Sequence, residues 1–376
     1  MYLALKEMKK EKGRFVLIIG IVILISYLVF FLTGLAYGLA KDNILAVELW
    51  KADKIVLKEG SNKNISSSMM EKEAIDDFKD YEISPVNLSR SSAYINGDQS
   101  ESKTVDIVLM GLNQDSKAYP EVIEGEKPAN KDEVLAPVSF KEEEGLSLGD
   151  ELELSMNERV FKVVGFTEDS KYNVSPVIYT DLYEASPAFL SYKEQVDEAK
   201  ENMEADGASG ATVSIPERIA GILVHGDSDL SSDENYDVIH IGDFIKKVPG
   251  FLAQVLTFGL MIIFLIMIST IVLGVFMYII TMQKKQTFGI MKVQGISNFY
   301  ISKSVIMQTF IVSLTGVVIG LLLTIGSEYV LPASVPFRSS YVFYGIISVL
   351  IIFISMLGAI FSVRSVSKVD PLEVLD

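Results

Sequence analysis

Few side chains in this sequence combine a reactive type with a setting that would use it, and those that do suit binding better than catalysis. Glu48 lies between Val47 and Leu49 in a stretch that is otherwise apolar. A carboxylate in such a setting keeps its proton more readily and can serve as a ligand or a donor. The competing reading is a solvated glutamate near Lys51 or Lys54. Tyr37 offers a phenol near the end of an uncharged run, where tyrosines also serve as interfacial anchors. Arg338 is the one cation in its connection, placed to meet an anion or a lipid headgroup. His225 and His240 have no partner pattern and read as surface residues. Met261, Met267 and Met277 share no clean helical face and read as packing. The absence of cysteine excludes disulfides, thiolate catalysis and thiolate-bound metal. There is no Ser-His-Asp arrangement, no clustered His/Asp metal signature and no Gly-x-x-x-x-Gly-Lys-Ser/Thr phosphate loop, so the chain does not hold ATP in the usual way. Glu142, Glu143 and Glu144 read as a solvated turn. The chain is read as a non-enzyme with no intrinsic cofactor.

The elements that would position these residues are set by four runs without Asp, Glu, Lys or Arg: 15–40, 248–283, 304–327 and 339–363, of 26, 36, 24 and 25 residues. About 20 apolar residues in a helix cross a ~30 Å hydrocarbon core, so each run is long enough. The order is one span, a large polar block, then three spans. Residues 1–40 and 251–376 carry 12 Lys/Arg and 6 Asp/Glu, a balance of +6. Residues 41–250 hold 21 Lys/Arg and 43 Asp/Glu, a balance of −22. Such an acidic block does not suit nucleic acid, whose phosphates need basic surface. Lys6, Lys9, Lys10, Lys12 and Arg14 precede the first span; Lys284, Lys285, Lys292 and Lys303 lie between the second and third; Arg364 and Lys368 follow the fourth. Cations near span ends mark the cytoplasmic side. Both termini are therefore expected inside and the acidic block outside, in a cell membrane. A cleaved signal peptide would need a core of only ~7–15 residues, so the first run reads as a retained span.

The expected organisation is a cytoplasmic amphipathic helix (1–14), span one (15–40), an extracellular domain with helical stalks (41–247), span two (248–283), a cytoplasmic loop (284–303), span three (304–327), a short outer connection (328–338), span four (339–363) and a cytoplasmic tail (364–376). Helical spacing continues through Lys41 to Lys54, which predicts a stalk above span one. Pro249 and Gly250 predict an interrupted entry to span two. Alternating segments predict strands at Thr104 to Gly111, Glu151 to Leu154, Val160 to Phe166 and Ser175 to Tyr179. Residues 192–202 read as an exposed charged helix or insertion and 203–214 as a loop. The block is mixed α and β, with two lobes as one arrangement. Between spans two and three, Gln283 to Tyr300 is short, basic and amphipathic. Gly295 suits a helix stop there and Ser297 a cap for the next helix.

Phe288-Gly289-Ile290-Met291-Lys292-Val293-Gln294-Gly295 resembles the coupling helix of MacB/FtsX-type permeases of ABC transporters. The tail from Arg364 to Leu375, with Asp370-Pro371, resembles that family's ending. Asp132-Glu133-Val134-Leu135, Gly145 to Leu152 and Phe161 to Gly165 look like its extracytoplasmic domain. The resemblance implies a MacB-like, type VII permease: an α-helical membrane protein with four transmembrane helices and a mixed α/β extracellular domain. It further implies a homodimer served by two copies of a separate cytoplasmic ATP-binding subunit, contacted through Phe288, Gly289, Ile290, Met291, Lys292 and Gly295. Thr287 departs from the pattern, since many relatives carry Glu there. Leu3 to Met8, and Leu32 through Glu48, resemble the haem-efflux permeases of Gram-positive bacteria. That implies haem as transported ligand and casts Glu48, Tyr37 and Arg338 as candidates for its iron or propionates, with no other metal site. Other exports within the resemblance are a peptide, lipid or drug. FtsX-like activation of a cell-wall hydrolase and membrane-bound sensing are the non-transport readings.

Overall fold

A computed structural model describes residues 2–100, 104–187, 217–332 and 334–367, with side chains undescribed at 2, 3, 285 and 361–367. The expectations for 192–202, 203–214 and the Asp370-Pro371 ending lie outside the described residues. Two compact units result: Met1–Gly38 with Gln254–Asp376, and Leu39–Ala253.

The first unit is helical. Helix α1 (Tyr2–Lys10) precedes α2 (Lys12–Leu49), which takes in the first uncharged run and continues beyond it as a stalk. The stalk was expected to reach Lys54 but stops at Leu49, where Lys51 enters the left-handed region at φ 52° and a strand starts at Lys54. Among the described residues, four helices are long and apolar enough to cross a membrane: α2, and three later helices labelled α5 (Phe251–Gln283), α7 (Asn298–Glu328) and α8 (Tyr341–Ser367). Gly250, at φ +81°, sets the break before α5.

Small residues let these helices approach. A Cβ on Gly316 would lie 2.4 Å from the Val22 side chain, and one on Gly320 would lie 2.9 Å from Ser26 and Tyr27 atoms of α2. This Gly-x-x-x-Gly face is the means by which helices pack tightly where lipid supplies no hydrophobic drive. Val29 and Phe30, Ile266, Val317, and Tyr344, Ile347 and Ile351 then form one core from all four helices. Several buried hydroxyls are satisfied within their own helices: Thr33 donates to Val29 O at 2.7 Å, Thr324 to Gly320 O at 2.9 Å and Ser355 to Ile351 O at 2.6 Å. The outward positions, such as Leu256, Leu260, Ile263, Ile271, Leu322 and Phe353, are also apolar. Helices apolar all round belong in a non-aqueous surrounding.

The second unit is built on one mixed sheet of 11 strands among the described residues. Its order is β13 (Tyr236–His240), β1 (Lys54–Lys58), β12 (Gly221–His225), β3 (Glu82–Ile95), β4 (Thr104–Leu112), β10 (Ser175–Thr180), β6 (Glu133–Pro137), β8 (Val160–Thr167) and β5 (Val122–Gly125). Strand β7 (Glu151–Leu154) pairs with both β3 and β8, β9 (Lys171–Tyr172) pairs with β10, and β2 (Met70–Glu71) and β11 (Arg218–Ile219) form a separate antiparallel pair. The four expected strands all form, with ends within a residue of expectation. Because β7 joins β3 to β8, the pairings β3–β4–β10–β6–β8–β7 close into a ring, with β10–β4 and β6–β8 parallel and the other neighbours antiparallel. Alternation along the strands of the ring feeds two cores. Val105, Ile107 and Leu109 of β4 join Phe161, Val163 and Ile178 inside the ring, where Phe140 of α3 (Val138–Glu144) also packs. Val108, Met110 and Leu112 join the other face, against Ile44, Val47 and Trp50 from the end of α2 and Phe244 of α4 (Ile241–Ile245). The two-lobe arrangement gives way to a continuous sheet with three cores, the third around Val56 of β1 and Ile222 and Val224 of β12.

Two surface expectations are corrected. His225 is buried; its Nε2 lies 2.7 Å from Ser84 Oγ and its Nδ1 3.0 Å from the Lys51 carbonyl, so it staples the turn after the stalk to the sheet. Glu143 is not in a free acidic turn, since it closes α3 and pairs with the buried Lys171 at 2.7 Å. His240 is exposed, as expected.

Candidate functional sites

The segment between α5 and α7 folds as a short helix, α6 (Lys285–Val293), with a defined stop and restart. Gln294 caps it and Gly295 follows at φ +84°, a backbone region that favours glycine. The Gly295 N–H donates to Lys292 O at 2.9 Å and the Ile296 N–H to Met291 O at 3.0 Å. Those two bonds are the Schellman pattern, and Met291 and Ile296 supply its accompanying apolar contact. Ser297 then caps α7, its Oγ accepting from Tyr300 N at 3.3 Å.

The helix has two faces. Phe288 is 2% exposed and packs with Met277, Ile301 and Val305, and Gly289 is also buried. Met291 and Lys292 are half-buried. Ile290 and Val293 point outward at 53% and 56% exposure, with Thr287 also exposed, and Phe299 follows at 76% on the first turn of α7. Phe288, Gly289 and Gly295 thus shape and seat α6 within the chain, while Ile290 is presented away from it. Val293 and Phe299 join that outer surface; the helical spacing of Val293 to Ile290, i+3, was the available signal.

At the other end of the bundle, residues 336–338 cross α2. A Cβ on Gly38 would come within 2.1 Å of the Pro336 carbonyl oxygen, and one on Gly34 within 2.5 Å of the Phe337 ring. The Arg338 N–H donates to Gly34 O at 3.2 Å. Tyr37 packs edge-on against Phe343 of α8, with ring centroids 5.7 Å apart. Tyr37 and Arg338 therefore belong to elements that meet at the Gly34–Gly38 face. Around them stand Tyr27, Phe31 and Phe337, whose rings follow one another at 5.7 and 5.3 Å. Glu328 accepts from the Ser339 hydroxyl at 2.6 Å and closes the connection. These aromatics were legible as residues, but only the crossing of 336–338 gathers them.

Glu48 lies in the other unit, on the side of α2 turned away from the sheet. Its two oxygens both lie 2.6 Å from Lys41 Nζ, and its side chain is 38% exposed. Within this chain it is an exposed paired carboxylate, with Lys41 as partner rather than the Lys51 or Lys54 of the competing reading. Nearby, Lys171 binds Asp42 at 3.6 Å and Glu143 at 2.7 Å. Burial works against its charge, yet the Glu143 hydrogen bond and the Asp42 charge leave its pKa raised. Among the described residues no cluster of three or more His, Cys, Asp or Glu could hold a metal ion.

Residues 259–371 match the family model described as FtsX-like permease C-terminal. The chain carries an FtsX-like permease domain. It is also 26% identical over 378 residues to the "Putative hemin transport system permease protein HrtB" of Staphylococcus epidermidis, covering 100% of this chain and 99% of that one. The protein of the same description from Staphylococcus haemolyticus is 25% identical over 380 residues, with the same coverage. Among solved structures, the chain is similar to the extracellular domain of the noncanonic ABC-type transporter YknZ from Gram-positive bacteria, at 14% identity and a TM-score of 0.29, covering 47% of this chain and 85% of that one. It is likewise similar to the periplasmic region of MacB from Actinobacillus actinomycetemcomitans, at 14% identity and a TM-score of 0.32, covering 56% and 98%.

Proposed function

We propose that this chain is the permease subunit of an ABC-type efflux system, and that it exports haem. The observation that carries the reading is end-to-end similarity to the hemin permeases of staphylococci, joined to an FtsX-like domain whose α6 presents an outward apolar face. In this reading α6 docks into a separate cytoplasmic ATP-binding subunit through Ile290, with Met291 and Lys292 at its margin. Two such subunits serve a homodimer of this chain, and the α6 end faces the cytoplasm of a Gram-positive cell. The cation distribution at the span ends supports that orientation. ATP stays on the partner. Because a ligand shifts a conformational equilibrium only by its difference in affinity for the two states, haem must bind one state of the permease better than the other.

Haem is an amphipathic cargo that partitions into lipid, and the Gly34–Gly38 end of the bundle suits it. Tyr37 offers a phenolate ligand for ferric iron and Arg338 a partner for a propionate. Glu48, exposed in the single chain, would serve only if the second copy of the dimer covers it. A haemin titration of the chain in nanodiscs, followed by Soret absorbance, tests this. The expected result is a saturable, stoichiometric Soret shift that Tyr37→Phe or Glu48→Ala removes. A shift no larger than that of empty nanodiscs would overturn haem as cargo and favour a peptide, lipid or drug, or hydrolase activation.

A further inference from the structure

Helix α1 contains more than a membrane anchor requires. Residues 1–14 carry five cations, which suit a lipid surface, but Glu7 of α1 and Glu11, in the turn that follows it, both reach Lys284. Glu7 Oε2 lies 3.4 Å from Lys284 Nζ and also accepts from the Gln308 Nε2 of α7. Glu11 Oε1 lies 3.7 Å from the same Lys284 Nζ, which stands over the Phe15 ring at 5.7 Å. Both Lys284 and Gln308 are buried, at 8% and 2% exposure.

Lys284 is the single residue between α5 and α6. Its backbone, at φ −94° and ψ 6°, has left the helix; its N–H donates to Thr281 O at 3.2 Å and its carbonyl accepts from Phe288 N at 2.9 Å. The residue at which the chain turns from the spanning helix into α6 is thus gripped through its side chain by α1 and, by way of Glu7, tied to α7. A buried ion pair of this kind contributes little net stability, but removing one partner strands the other charge. Its value lies in fixing geometry.

We infer that Glu7 is a positioning residue for α6: it locks the α5–α6 corner to α1 and α7 so that the four elements move as one body. This rests on the reading of α6 as the coupling helix. The sequence has no cysteine, so a single Val293→Cys carries a nitroxide label at an exposed site on α6. Spectra of the full chain in nanodiscs report label motion on the nanosecond scale. Glu7→Gln and Glu7→Ala are expected to mobilise the label, and the exchange of Glu7→Lys with Lys284→Glu to restore it. Unaltered Trp50 emission would show that the Leu39–Ala253 unit is folded, and an unaltered thermal midpoint in detergent that the helical unit is. In unlabelled protein purified with its ATP-hydrolysing subunit through a tag on this chain, both Glu7 variants should lower substrate-stimulated hydrolysis by about fivefold or more, the lower end of the usual coupling between two sites, and the exchange should recover it. An immobile label in both variants overturns the clamp. A mobilised label with undiminished stimulation overturns the positioning role. Absence of stimulation in the unaltered chain would instead strike the coupling reading of α6, with the label still deciding the clamp.

Discussion

Asn87 sits at 1% exposure in the long strand β3, and every partner of its side chain is a backbone group. It donates to Leu182 O at 2.9 Å and to Arg218 O at 2.8 Å, and accepts from Ala220 N at 2.8 Å. Each buried group left unpaired costs ~1–3 kcal/mol, so Asn87→Ala should destabilise this unit by at least that amount. Chemical denaturation of the full chain followed through Trp50, its one tryptophan and fully buried, reads this out. A midpoint equal to wild type would contradict it. The same residue explains why β3 escaped the sequence reading. Ser84, Asn87, Ser89 and Ser91 are all buried in it, so its apolar alternation is broken by side chains with polar partners, those of Ser84, Asn87 and Ser89 far off in sequence. His225 was misread for a similar reason, because both of its partners are distant in sequence. A second residue-scale prediction concerns alkali. Burial pushes Tyr119 and Tyr172 up to about 12, burial likewise raises Tyr179, and Lys171 is raised despite its burial by Glu143 and Asp42. The folded chain therefore holds these protons after the unfolded chain has begun to release them. Stability is fully present below the unfolded values near pH 10 and falls as pH rises toward 12. Trp50-monitored denaturation at pH 8, 10 and 11 should show that fall, and Tyr172→Phe should make it shallower.

At the scale of elements, the spans and the α6 stop were legible because their causes are local. Uncharged length, the Gly295 position and the Ser297 cap each lie within a few residues of the structure they produce. The helix partners were not legible, because a glycine in an apolar run does not say what approaches it. Gly316 and Gly320 face α2 at distances that leave no room for a side chain. Gly320→Leu should therefore separate α7 from α2 and lower the thermal midpoint of the purified chain in detergent. Gly326→Leu, at a position with open space around it, is the control and should leave the midpoint nearly unchanged. Equal effects at both positions would mean that helix propensity, not packing, governs the bundle.

For the whole molecule, the separation into an acidic mixed α/β unit and an apolar helical unit follows from charge placement alone, since −22 and +6 fall on different parts of the chain. Closure of the sheet into a ring does not follow from it. That depends on β7, a four-residue strand, pairing on both edges, and pairing partners are set by tertiary packing rather than by alternation. The proposed function asks the two ends of the helical unit to communicate: cargo at the Gly34–Gly38 end and a nucleotide-driven partner at α6. ATP hydrolysis by the complex purified through this chain and placed in nanodiscs, measured with rising haemin, tests that most directly. The account predicts saturable stimulation by haemin that Ile290→Asp, at an exposed position on α6, abolishes without unfolding the chain. Hydrolysis indifferent to haemin, or stimulation that survives Ile290→Asp, would contradict it.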